Sequence, residues 1–170
     1  MILSVHATFG AAVASLVPTH PVEAFALGFA SHFVLDAIPH RDYDLISMEQ
    51  DLNKKNEIID VIYKKFKLIR DMVFVTIDAL VGLCLAFIFF FNPVYPWVFF
   101  IGVVGSLLPD FFTFLYFLLK HKSLASFFKF HSDFIHSKTI SNISQSLGVL
   151  FQFCTLAILI AIIFGVRYFY

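Results

Sequence analysis

Residues 72–91 read MVFVTIDALVGLCLAFIFFF, twenty positions of which only Asp78 is charged. As a helix this run rises about 30 Å, the thickness of a bilayer's hydrocarbon core. It ends at Asn92-Pro93, and another apolar run, 95–119, begins at once and stops at Lys120. A third lies at about 146–166. Upstream, 1–17 and 22–38 are apolar as well, separated by Pro18-Thr19-His20-Pro21 and closed by Pro39. The pattern predicts an all-α, polytopic integral membrane protein: one membrane domain over 1–170 with about five transmembrane helices. Polar segments 39–71 and 120–145 lie outside the spans.

Composition agrees. The 170 residues are 59% hydrophobic and 14% charged, and Phe occurs 24 times. Soluble domains carry about 45–50% apolar and about 25% charged residues, and a water-soluble fold of this size could not hide the excess. A cytosolic globular enzyme, a nucleic-acid binder and a disordered tail are excluded. Twelve Lys and Arg balance twelve Asp and Glu, so net charge points to no partner. Cys84 and Cys154 stand alone in apolar runs and read as buried packing thiols. Residues 1–18 lack the basic start of a cleavable signal peptide, and His6 interrupts the apolar stretch.

Within 49–70, Ile58, Ile59, Ile62, Phe66 and Ile69 recur at helical spacing among Lys54, Lys55, Lys64, Lys65 and Lys67. That spacing suits an amphipathic helix on the membrane surface, gating lipid access or anchoring the chain, or a solvated helix packed on its own protein. In the five-span arrangement those lysines, with Arg41, Arg70, Lys120, Lys122, Lys129 and Lys138, share one side, eleven in all; Arg167 alone falls opposite. The asymmetry places the N-terminus and the long loops in the cytoplasm.

Ionisable residues inside spans are costly and mark sites. His6, His32, Asp36, Asp78 and Asp110 all fall toward the cytoplasmic ends of their spans, and His40, Asp42, His131 and His136 lie just outside on that side. His32 and Asp36 are four apart, hence on one helix face, where they suit one metal ion or an Asp-oriented His. Pro39 then ends the helix and presents His40 and Asp42 from a turn. Pro109 opens a kink beside Asp110, which serves as a ligand or as a carboxylate paired to another span. His131 and His136 lie about 140° apart around a straight helix, so both reach one centre only if their segment is bent. Asp78 reads as a ligand or as an interhelical hydrogen bond. His6, four before Gly10, reads as a ligand; His20, on the far side, and interfacial His121 do not.

The elements Ser31-His32-Phe33-Val34-Leu35-Asp36, Leu108-Pro109-Asp110 and His131…His136-Ser137 resemble those of the bacterial and archaeal membrane-bound metal-dependent hydrolases. The His32/Asp36/Pro39/His40 string is also similar to the HxxxDxxxPxH core of zinc-dependent phospholipase C and related nucleases, one residue shorter before the last His. The resemblance implies a prokaryotic cytoplasmic membrane protein and a metal-dependent hydrolase.

Imidazoles mixed with carboxylates suit Zn²⁺ best, or Mn²⁺ or Fe²⁺. His6, His32, Asp36, His40, Asp110, His131 and His136 are the candidate ligands for one or two ions. Asp78 or Asp42 is the candidate proton shuttle, and Arg41, Lys129 and Lys138 the candidate phosphate-binding cations. The expected substrate is a membrane lipid or membrane-associated phosphoester. Two other readings stay open: a non-enzymatic metal-binding or ion-handling protein, and a structural protein whose His/Asp pairs hold helices together. No GxSxG, HExxH, P-loop or GxGxxG is present.

Overall fold

The computed structural model describes residues 1–43, 57–135 and 143–169, and among these there is no strand. Six α-helices follow one another: α1 Leu3–Ala14, α2 Pro21–Asp36, α3 Glu57–Phe90, α4 Pro96–Leu119, α5 Lys122–Lys129 and α6 Gln145–Phe169. A π-helical turn, Phe130–Ile135, follows α5 directly.

Among the described residues, three helices are long and apolar enough to cross a membrane: Lys65–Phe90, Pro96–Leu119 and Gln145–Val166. The expectation of five spans is therefore met for three. With 12 and 16 residues, α1 and α2 rise only about 18 and 24 Å, short of the 30 Å core. The cause is local. The chain turns at Ser15–Thr19, Pro21 starts α2, and Pro39 restricts the residue before it, so neither helix can lengthen.

The surface helix also needs correction. Residues from Glu57 onward continue without a break into the expected third span as one 34-residue helix. No Gly or Pro interrupts 57–81, so nothing ends the helix where the composition changes. The first part of the expected amphipathic segment, with Lys54 and Lys55, lies outside the described residues.

At the centre sits α1, buried from Ser4 to Ala12 and enclosed by α2, α3, α4 and α6. Small residues make this possible, because helices in lipid associate by close backbone approach. A Cβ on Gly102 of α4 would lie 2.6 Å from the Gly10 carbonyl oxygen of α1 and 2.6 Å from the Ala14 Cβ. On α2, a Cβ at Gly28 would lie 2.6 Å from the Gly102 carbonyl oxygen. Three side chains cap the start of α1. Gln152 accepts from the Ile2 N–H, the Tyr43 hydroxyl from Leu3, and the Asp78 carboxylate from Ser4.

The outer faces of α3 and α6 are apolar and exposed, as Ile77, Leu80, Ile88, Ile158 and Ile162 show. Cys84 and Cys154 belong to these faces and are exposed, not buried. An apolar neighbourhood in sequence marks a lipid-facing surface as readily as a core. At Lys120 the backbone turns left-handed (φ 50°) and reverses the chain. As a result α5 folds back along α4, stacking Phe128 on Tyr116 and setting Phe127 edge-on to Phe112.

Candidate metal centre

Four of the expected ligands converge. The last turns of α2 carry His32 and Asp36, α4 carries Asp110 just after Pro109, and the π-helical turn carries His131. One ligand atom from each lies within 4.8 Å of every other. The His32 Nε2 is 3.1 Å from Asp36 Oδ2, 3.7 Å from Asp110 Oδ1 and 2.9 Å from His131 Nε2. From His131 Nε2 the same carboxylates are 3.1 and 4.0 Å away. Donor pairs around one tetrahedral ion at 2.0–2.1 Å are separated by about 3.3 Å. The observed spacings bracket that value, so the four residues could hold a metal ion.

The rings are held in the orientation a ligand needs. A carbonyl only accepts, so His32 donates its Nδ1–H to the Ser106 carbonyl (2.8 Å), and His40 donates its own to Ile38 (2.7 Å). Thr113 directs its hydroxyl to the Pro109 carbonyl, leaving its oxygen to accept from His131 Nδ1 at 2.9 Å. In neutral imidazoles these bonds put a bare lone pair on each Nε2, aimed inward. Two such lone pairs 2.9 Å apart, at His32 and His131, repel unless a proton or a cation lies between them. Beside them Asp36 is fully buried, and its Oδ2 faces both of these Nε2 atoms at 3.1 Å.

The other oxygen of Asp36 faces a second group. The Asp36 Oδ1 lies 2.7 Å from the backbone amino group of Met1, 3.1 Å from His6 Nε2 and 3.9 Å from His40 Nε2. That amino group is also 2.8 Å from His40 Nε2 and 3.3 Å from Asp42 Oδ1. The His6 ring stacks on His32 at 4.1 Å and is fully buried; its Nε2 faces Asp36, and its Nδ1 makes no hydrogen bond. A buried imidazole nitrogen without a partner is costly.

The remaining candidates divide. Asp78 sits at the N-terminus of α1, where it accepts from Ser4 and from the Tyr43 hydroxyl; it takes the interhelical role of the two expected for it. Burial, and then the Asp78 carboxylate, push the Tyr43 phenol far above its usual range, so it stays a donor. Arg41 clasps α6, donating to Gln145 Oε1 and the Ile143 carbonyl while its own carbonyl accepts from Gln152. Lys129 is exposed at the end of α5. His136 and Lys138 lie outside the described residues. His20 and His121 are exposed, away from the cluster, as expected.

Ser106, Thr113 and Gln152 escape a search for ionisable residues, and Tyr43 escapes one limited to His and carboxylates. For Ser106 and Thr113 a signal exists: they stand four before and three after Asp110, on the same face of α4. No protein-family model, curated protein or solved structure matches the chain.

Proposed function

We propose that the chain is a metal-dependent membrane hydrolase that cleaves a lipid or membrane-associated phosphoester. One ion is held by His32, Asp36, Asp110 and His131. On the Oδ1 side of Asp36, beside His6 and His40, the Met1 amino group holds the space a second ion would need, so a second ion would have to displace it. The observation that carries this reading is the set of Nδ1–H bonds donated to the Ser106 and Ile38 carbonyls and the Thr113 hydroxyl, which turn three imidazoles toward one buried carboxylate. Zinc, with manganese or iron as alternatives, bound there supplies a Lewis acid and a hydroxide near neutral pH. Asp36 would give its Oδ2 to the ion, while its Oδ1 faces the Met1 amino group. Asp42, partly exposed beside His40, is the carboxylate set to take the proton released in hydrolysis. Arg41 acts in this scheme as a positioning residue for the turn that bears His40 and Asp42. Lysines 129 and 138 remain the proposed phosphate contacts. The basic ends of the spans face the cytoplasm of a prokaryotic cell.

The test is hydrolysis of a panel of phospholipids by protein loaded with zinc or manganese, beside His131→Ala and a chelated sample. Metal-dependent release of a phosphorylated product, lost in His131→Ala, supports the reading; its absence from the loaded, folded protein overturns it. A non-enzymatic metal protein is the second reading. It is favoured by the near-complete burial of His32, Asp36 and His131, since structural ions sit in closed sites.

A further inference from the structure

Among the candidate ligands of the first ion, His32 and Asp36 have no exposed side-chain surface and His131 has 3%, whereas Asp110 has 28%. The centre therefore opens at Asp110. From other directions it is covered. Met1 and Ile2 are buried beside it, and Phe33 and Phe127 set their rings 6.0 and 6.1 Å from that of His131.

The position of Asp110 along α4 decides what the opening meets. It stands nine residues before Leu119, the end of the helix, about 13 Å inward along the axis. The headgroup layer is only about 5–8 Å deep on each side of a bilayer. With Leu119 set at the outer edge of the headgroup layer, Asp110 falls below that layer, at the depth of the acyl chains. The surface around it agrees, since Phe111, Phe114 and Leu118 are exposed and α4 has no other charged residue. A water-soluble phosphoester reaching this mouth must cross an apolar margin; a membrane lipid is already beside it.

We infer that the substrate is a long-chain lipid that enters sideways from the bilayer at Asp110, its tails remaining against Phe111 and Phe114. This rests on the hydrolase reading and narrows it, since a phosphoester delivered from water no longer qualifies. The headgroup bond moves inward toward Asp110 while the chains stay in hydrocarbon, so little apolar surface is transferred to water.

Two measurements test the route. Metal-loaded protein is reconstituted in vesicles of dioleoyl phosphatidylethanolamine and phosphatidylglycerol, with the dihexanoyl forms of the same lipids supplied in the water phase below their micellar concentration. Headgroup release is followed by mass spectrometry. The expected result is turnover of the dioleoyl lipids at least about tenfold above the dihexanoyl ones, a difference of about 1.4 kcal/mol in transition-state stabilisation. Equal or faster cleavage of the dihexanoyl forms overturns lateral entry and leaves the hydrolase reading standing. Cleavage of neither overturns both.

The second measurement needs no turnover. Trp97 is the chain's one tryptophan, so Trp97→Phe combined with Phe111→Trp gives a single reporter at the mouth. Quenching by lipids brominated along the acyl chain is expected. Quenching by aqueous acrylamide alone overturns the lateral route whatever the activity.

Discussion

Gly102→Ala links packing to the centre and has a size that follows from the contacts. The new Cβ would lie 2.6 Å from the Gly10 carbonyl oxygen, 2.6 Å from the Ala14 Cβ and 3.1 Å from the Ala11 Cα. Two of these are backbone atoms, so no side chain can swing away. Restoring an ordinary contact of at least about 3.4 Å moves α4 from α1 by roughly 0.8 Å, an overpacking cost of about 1–3 kcal/mol. For a chain of this length that lowers Tm by roughly 2–12 °C. The same shift carries the Ser106 carbonyl, one turn along α4, away from His32. Their 2.8 Å bond, which joins α4 to α2, is distorted by any movement of α4 that α2 does not follow. Losing the outer partner of a metal-bound His weakens metal affinity by about 10–100-fold. Thermal unfolding in mild detergent and zinc titration by calorimetry read the two effects separately. Gly165→Ala is the control, since nothing lies within 4 Å of a Cβ there. Wild-type Tm and wild-type zinc affinity in Gly102→Ala would refute the reasoning.

Other substitutions separate the centre from its scaffold. Thr113→Val removes the acceptor for His131 Nδ1, so zinc affinity falls about tenfold while Tm holds, and Thr113→Ser restores it; calorimetry reads both. Asp78→Asn weakens the cap of α1, lowering stability by about 0.5–2 kcal/mol without changing the metal content of folded protein. Arg41→Ala releases the clasp on α6 and shows as faster hydrogen exchange in residues 143–152, with the first metal position still filled. Adding zinc at about 100 times its Kd stabilises the wild type by about 2.7 kcal/mol, and His32→Ala loses that gain in a thermal scan.

The helical class and the three long apolar runs are legible in the sequence because a hydrocarbon span needs an uninterrupted apolar helix, and 72–91, 95–119 and 146–166 supply little else. So is the convergence of His32, Asp36, Asp110 and His131, through the four-residue spacing of the first pair and the Pro109 kink. A bend that would let His131 and His136 share one centre is expected too; a π-helical turn carries His131, and His136 lies outside the described residues. Three features are not legible. An apolar stretch of 12–16 residues looks the same whether it crosses lipid or is enclosed by other helices, as α1 is. The charged start of α3 reads as a separate surface helix because composition changes there while the backbone does not. Asp78 and the cysteines depend on what neighbouring helices present, and periodicity within one helix carries no such information.

If His32, Asp36, Asp110 and His131 hold a cation, it must appear in the metal content of the purified protein. Protein purified in mild detergent, beside His32→Ala and Asp36→Ala, is analysed by plasma mass spectrometry. The account predicts one or two zinc, manganese or iron ions per chain, lost from both variants while their helical content is retained. A metal-free wild type that also fails to take up added zinc or manganese would contradict it, leaving the cluster as hydrogen-bonded helix contacts.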